Sequence, residues 1–298
     1  MRKHLKGFKL IENTEILQMQ IKKAIIPVAG WGTRRLPITK TIEKAMLPIG
    51  NRPLVDYVVE DCAKAGIEEV YIVIDEKPFS QIKDYYSENT KLNNYLVARG
   101  KEDKVKLTET QYAGMKIHFY CQKNVDERYG SAEPVAQVVE EFGINEPTAI
   151  LMGDDFIYNA DGSSDLARLM ETVKDETDSA MLAVEIPIED VERYGVLKVE
   201  DGILTGIYEK PKKEEAPSNL INISKYIMSA ELLQRIVKYC KENDFGPKDQ
   251  EYLITDPIIE HIKAKQKIHV LPIKGKYLDG GSVEGWLHAN NVVFGKED

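Results

Sequence analysis

Ala24–Pro48, AIIPVAGWGTRRLPITKTIEKAMLP, constrains the fold of this chain more than any other stretch. An apolar run from Ala24 to Ala29 stops abruptly at Gly30-Trp31-Gly32-Thr33-Arg34, and Lys40 and Lys44 follow. The run reads as a buried strand that delivers a loop. That loop has the parts needed to hold a polyphosphate: glycines that let backbone N–H groups come close to oxygens, then several cations within reach. An enzyme acting on a nucleoside triphosphate is the reading that follows.

Two commoner glycine loops do not fit. A dinucleotide fingerprint, G-x-G-x-x-G, needs a glycine for close helix–strand packing where this chain has Arg35. A Walker A loop, G-x-x-x-x-G-K-[ST], needs its second glycine at that same position. A bare G-x-G would be an ordinary strand-to-loop turn, and the cations that follow argue against that here.

Beyond the loop, strands and helices alternate. Pro53–Val59 has helical spacing with proline in the first turn and Gly66 past the end, and Glu69–Asp75 reads as a buried parallel strand. Strand, loop, helix, strand is a right-handed crossover unit. Strands follow at Met115–Cys121, Thr148–Leu151 and Ala180–Ile186, with helices at Glu133–Phe142 and Leu166–Val173, while Tyr85–Gln111 is a polar surface excursion. The last third is mixed. Gly195–Val199 and Ile203–Glu209 form a hairpin about Asp201-Gly202, and a strand at Asn219–Met228 leads into a helix at Ala230–Lys241. A helix at Pro257–Ala264, strand Ile268–Ile273, extended Lys276–Asp279 and helix Val283–Val293 finish the chain. The pattern predicts a Rossmann-like α/β fold, a mixed and mostly parallel central sheet flanked by helices, with a smaller mixed C-terminal part. Residues 1–18 read as an N-terminal extension and 19–298 as one unit, divided near 175 into a nucleotide-binding part and a C-terminal part.

A formal net charge of −9 argues against a nucleic-acid surface, and no apolar run approaches a membrane span of roughly 20 residues. Cys62, Cys121 and Cys240 are far apart and odd in number, so no disulfide framework or zinc site is expected and a reducing cytoplasm is the natural home.

Gly30 to Ile49 is similar to the signature of sugar-1-phosphate nucleotidylyltransferases, G-x-G-T-R-x-L-P-x-T-K-x-x-P-K-x-M-L-P-I. One position departs: Glu43 stands in place of the proline, setting a carboxylate beside the cation expected to meet the triphosphate. Leu-Pro-x-Thr-Lys looks most like the uridylyltransferase branch. The resemblance implies attack of a sugar phosphate, glucose 1-phosphate, on the α-phosphorus of UTP with loss of pyrophosphate, in a homodimer or homotetramer. Such a reaction needs anionic repulsion suppressed and leaving-group charge stabilised, which a divalent metal and cations on the phosphates supply.

By the same resemblance, Ala29, Gly30, Gly32, Thr33 and Arg34, with Gln122 and Gly130, would hold the nucleotide, and Arg34, Lys44 and Lys210 would be the catalytic cations. Asp154 of Gly153-Asp154-Asp155 and Asp279 of Tyr277-Leu278-Asp279 would bind Mg²⁺, which keeps several waters and needs few protein carboxylates. Glu209-Lys210-Pro211, Gly195 and Asn219 match the sugar-phosphate site, a carboxylate reading hydroxyls and a long cation reaching phosphate. The base loop, Tyr129-Gly130-Ser131-Ala132, departs from the branch's Gly-Leu-Gly-His-Ala, so another nucleotide such as dTTP, or another sugar phosphate, stays open. An inactive nucleotide- or sugar-nucleotide-binding regulator is the alternative of a different class, motivated by Glu43 and by that loop.

Overall fold

The computed structural model of the chain describes residues 20–76, 80–109, 112, 114–124, 128–245 and 250–296. The expected extension over 1–18 lies outside the described residues. Strand β1 (Lys23–Pro27) is followed by three short 3-10 turns, Thr33–Arg35, Ile38–Lys40 and Lys44–Met46. A two-residue ladder, β2 (Pro48–Ile49) with β3 (Arg52–Pro53), leads into helix α1 (Leu54–Lys64) and strand β4 (Glu69–Asp75). Pro53 is the cap of α1 and not part of its first turn, its extended backbone (φ −68°, ψ 151°) pairing in β3. Helices α2 (Gln81–Tyr86) and α3 (Thr90–Ala98), then a 3-10 stretch at Glu102–Thr108, make up the polar excursion. Next come β5 (Lys116–Gln122), α4 (Glu133–Glu141), β6 (Thr148–Leu151), β7 (Asp155–Tyr158), α5 (Asp165–Met170) and β8 (Ser179–Glu185). The chain continues through hairpin β9 (Gly195–Glu200) and β10 (Ile203–Glu209), then β11 (Leu220–Met228), α6 (Ala230–Glu242) and α7 (Thr255–Lys263). It ends with β12 (Ile268–Pro272), β13 (Lys276–Asp279) and α8 (Val283–Val293).

Period-two alternation of apolar side chains makes this a three-layer arrangement. β1 sends Ala24 and Ile26 into one apolar cluster and Ile25 into another, and β4 divides Val70, Ile72 and Ile74 from Tyr71 and Val73 in the same way. Helices α1, α5 and α8 cover the first face, through residues such as Val55, Leu166 and Val292. Helices α4, α6 and α7 cover the second, through Val135, Ile236 and Ile258. Burial on both faces is what lets the strands be almost wholly apolar, with the hydrophobic effect worth about 1.5–3 kcal/mol for each aliphatic side chain removed from water.

Among the described residues one nine-stranded sheet runs in the order β5-β4-β1-β6-β11-β8-β12-β10-β9. Strands β5, β4, β1 and β6 are parallel, and β12 is parallel to β8, whereas β11 is antiparallel to both its neighbours. The expected mixed, mostly parallel α/β sheet is therefore present. The β9–β10 turn has Asp201 and Gly202 at φ 51° and 76°, the left-handed pair a two-residue hairpin needs, and the hairpin curls so that Val196 also pairs with Ile221 of β11.

The sequence reading assigns no strand to β7 and treats Lys276–Asp279 as a continuation of the strand before it. In the fold these two segments leave the large sheet and pair antiparallel with each other, Asp279 opposite Asp155. Both are only four residues long and their partners lie far apart in sequence, so no local signal marks the ladder. This small ladder assembles the site.

Candidate active site

Strands β1 and β6 are parallel neighbours, and the segments leaving their carboxyl ends meet, with the Gly153 N–H donating to the Pro27 carbonyl at 3.2 Å. Open α/β sheets gather ligands at this edge. Lys44, at the start of its 3-10 turn, reaches the same edge and donates to Asp154 Oδ2 at 2.5 Å. Burial alone would push the Asp154 carboxyl up, but Lys44, Lys225 and Arg34 outweigh it and hold the group below the usual carboxylate range.

Asp279 arrives from the other strand of the ladder. The Gly280 N–H donates to the Asp154 carbonyl at 3.2 Å, and the Gly281 N–H donates to Asp279 Oδ1 at 2.6 Å. Gly280 permits the approach: a Cβ there would lie 1.9 Å from Leu54 Cδ1 at the head of α1. Asp154 and Asp279 are thus joined through the backbone, and Lys44 Nζ, paired with Asp154, also borders Gly281 beside Asp279 Oδ1. Among the described residues no cluster of three or more His, Cys, Asp or Glu side chains forms a metal centre by itself.

Adjacent aspartates have opposite surroundings. The Asp154 side chain is 42% exposed, whereas Asp155 is buried against Lys225, whose side chain is 2% exposed. Lys225 donates to Asp155 Oδ1 and, at 2.8 Å, to the Met152 carbonyl, while the Tyr277 hydroxyl donates to Asp155 Oδ2 at 2.8 Å. Burial pushes the Asp155 carboxyl up, against the opposing pull of Lys225. Lys225, Asp155 and Tyr277 bind β11, β7 and β13 into one unit beneath the pair that faces outward. None of the three is a site residue expected from the sequence. A lysine inside LINISKYIM was the available signal.

Ala29, Gly30, Gln122 and Gly130 line one cavity of about 510 Å³, together with Trp31, Asp75, Arg128 and Tyr129. Gly130 adopts φ 131°, and a Cβ there would come within 2.5 Å of the Tyr252 backbone. The loop is stitched to that segment: the Tyr252 N–H donates to the Tyr129 carbonyl at 2.9 Å, the Ala132 N–H to the Tyr252 carbonyl at 2.8 Å, and the Ile254 N–H to Ser131 Oγ at 3.0 Å. Gly32, Thr33 and Arg34 do not line this cavity. Gly32 packs instead beneath Lys44 and Thr39, and Thr33 and Arg34 stand exposed in the first 3-10 turn. Arg35, the residue that excluded the dinucleotide fingerprint, is buried; it donates to the Ser282 carbonyl and lies 5.5 Å from the centre of the Trp286 ring.

The hairpin brings Glu209 opposite Gly195, so close that a Cβ on Gly195 would lie 3.1 Å from Glu209 Oε2. Lys210 is 65% exposed in its side chain, with Nζ 3.9 Å from Glu209 Oε1. Asn219 is spent on the sheet edge: its side chain donates to the Ile186 carbonyl at 3.1 Å, and its carbonyl accepts from the Ile186 N–H. Asn222, which the sequence reading did not single out, lies beside Gly195 and donates to the Tyr226 hydroxyl at 2.7 Å. β11 therefore links the hairpin, at Asn222, to the carboxylate ladder, at Lys225.

The signature's one departure has a definite place. The Glu43 carboxylate accepts from the Gln81 N–H at 2.6 Å, so it is engaged by α2 beside the Lys44 turn.

A nucleotidyl transferase family profile matches residues 23–294. UTP–glucose-1-phosphate uridylyltransferase 1 of Streptococcus pyogenes serotype M3 is 34% identical over 277 residues, covering 90% of this chain and 87% of that protein. An apo UDP-glucose pyrophosphorylase is 32% identical, with a TM-score of 0.80 over 93% of this chain and 99% of the other. A UDP-glucose pyrophosphorylase complexed with UDP-glucose is also 32% identical, with a TM-score of 0.75 over 93% and 100% of the two chains. With its glycine loop, paired carboxylates and matched length, the chain belongs to the nucleotidyl transferase family.

Proposed function

We propose that the protein transfers a uridylyl group from UTP to glucose 1-phosphate, giving UDP-glucose and pyrophosphate. One observation carries this reading: Lys44, Asp154 and Asp279 converge at a single sheet edge. The relatives' names supply the substrates.

Asp154 and Asp279 would hold a divalent cation, Mg²⁺ in this reading. They suit it because Asp154 is held ionised and partly exposed, and because two carboxylates leave positions for water and phosphate oxygens. When bound, the cation draws charge from phosphate oxygens and eases both attack and departure. Lys44 and Arg34 neutralise the triphosphate, and Gln122 offers a donor and an acceptor to the base edge. Glu209 accepts from sugar hydroxyls, Lys210 offsets the charge of the sugar phosphate, and Gly195 leaves room for the ring. The attacking phosphate oxygen is already ionised at neutral pH, so no general base is required.

Among the described residues no helix is long and apolar enough to cross a membrane. A reducing cytoplasm and a homodimer or homotetramer complete the reading. Engagement of Glu43 by Gln81 removes one motive for an inactive binder.

The test is pyrophosphate release from UTP, dTTP, CTP, GTP and ATP with glucose 1-phosphate, with and without Mg²⁺. Metal-dependent release favouring UTP is expected. Release with dTTP in preference would move the protein to thymidylyl transfer, and silence with every nucleotide and sugar phosphate would leave only the binder.

A further inference from the structure

We infer that Glu43 and Gln81 form a latch that positions Lys44, doing by hydrogen bonding what the family signature does with a proline ring. The inference rests on the uridylyl-transfer reading for its kinetic consequences, though not for its geometry. The bonds are reciprocal: the Glu43 N–H donates to Gln81 Oε1 at 2.9 Å, and the Gln81 N–H donates to Glu43 Oε1 at 2.6 Å. Glu43 has φ −57° and ψ 134°, a φ that proline would fix covalently. Proline could adopt this backbone but would supply neither the N–H nor the carboxylate. Gln81 opens α2, where backbone N–H groups lack helical partners and an anionic acceptor is favoured. Ser80 Oγ accepts from the Lys83 N–H and Glu43 from the Gln81 N–H, so the latch is also part of that helix's cap.

The far side of the latch is anchored. Two hydroxyls of α2, from Tyr85 and Tyr86, reach the buried Asp56 carboxylate of α1 at 3.3 and 3.1 Å. Arg52 Nε and the Tyr112 hydroxyl reach it as well, each at 2.8 Å. Glu43 is thereby tied through α2 to α1. The head of α1 carries Leu54, which packs under Gly280 next to Asp279. Lys44 and Asp279 are therefore both referred to α1, so a loosened latch lets Lys44 drift relative to the carboxylates. Glu43 and Gln81 are positioning residues, acting through Lys44.

The opposing account is electrostatic, with the Glu43 charge weakening triphosphate binding. Four variants separate the two: Glu43→Ala, Gln81→Ala, their double, and Glu43→Gln, which keeps an acceptor and drops the charge. The latch predicts that each alanine variant lowers kcat/KM for UTP by about fivefold, the worth of one ordinary hydrogen bond. KM for glucose 1-phosphate stays unchanged, and Glu43→Gln, which keeps the acceptor and loses its charge, falls between the parent and Glu43→Ala. Gln81→Ala with parental kinetics would overturn the latch, as would Glu43→Gln and Glu43→Ala both improving on the parent. Hydrogen exchange of the Met46 and Leu47 amides, which donate to the Glu43 and Lys44 carbonyls, needs no turnover. Faster exchange there in Gln81→Ala supports the latch even should the parent prove silent with every nucleotide, and unchanged exchange overturns it.

Discussion

The two ends of the site are built differently. At the carboxylate end, Lys44 and Asp154 are already paired, Asp279 is held by a backbone N–H, and the buried Lys225–Asp155–Tyr277 unit lies beneath them. At the hairpin end, the Glu209 and Lys210 side chains are 49% and 65% exposed and lie 3.9 Å apart, a distance at which solvated charges interact weakly. One end is preorganised and the other is open. Preorganised charge acts on the transition state, because it needs no rearrangement as the reaction proceeds. Solvated groups on an open turn contribute mainly to ground-state capture. On the proposed reading, the chemistry belongs to the ladder and the sugar's entry to the hairpin.

The most severe way to break this comparison is Asp279→Ala. Turnover should fall by about a thousandfold, as when a preorganised stabilising group is removed, with little change in melting temperature. Near-parental kcat would place the chemistry elsewhere. Lys210→Ala should act more gently and on a different constant, raising KM for glucose 1-phosphate by about tenfold, the loss of one charge-assisted contact, with kcat within a few-fold. Were Lys210→Ala to lower kcat while sparing that KM, the hairpin would belong to the preorganised end.

The sequence shows the two ends unequally. The glycine loop, Lys44 and the buried apolar strands β4 and β6 were legible, because each is local: an apolar run, a punctuating glycine, a cation at fixed spacing. The hairpin was legible too, since Asp201-Gly202 announces its turn. The β7–β13 ladder was not, because two four-residue strands far apart in sequence leave no periodic trace. Nor could spacing decide which aspartate of Asp154-Asp155 faces outward. Resemblance chose Asp154, and the physical reason lies in Lys225, which takes the other. Asn219 matched a pattern, yet its side chain pairs with the sheet edge, while Asn222 three residues on lies beside Gly195. Glu43 looked like a charge problem in one dimension and is a hydrogen-bonding partner in three.

The smallest expected effect sharpens the comparison through pH. Helix α7 packs against β10, the strand that ends in Glu209, and carries the fully buried His261. Among the described residues neither ring nitrogen of His261 has a hydrogen-bond partner, and burial lowers its pKa, with Glu231 pulling up and Arg235 pushing down from α6. A depressed folded pKa means that the unfolded chain binds the proton more readily. Stability should therefore be full above about pH 6.5, the ordinary histidine value, and decline as pH falls below it. Loosening of α7 would reach the hairpin through β10 and the base loop through Ile254, so KM for glucose 1-phosphate and KM for UTP should both rise on acidification. Because the sugar phosphate itself titrates near pH 6, the informative quantity is the difference between the parent and His261→Leu. In that variant the acid decline of melting temperature should flatten, and the rise in both KM values should shrink, with kcat at pH 7.5 unchanged. Equal acid sensitivity in both proteins would detach His261 from the hairpin and leave the open end governed by its own solvated charges.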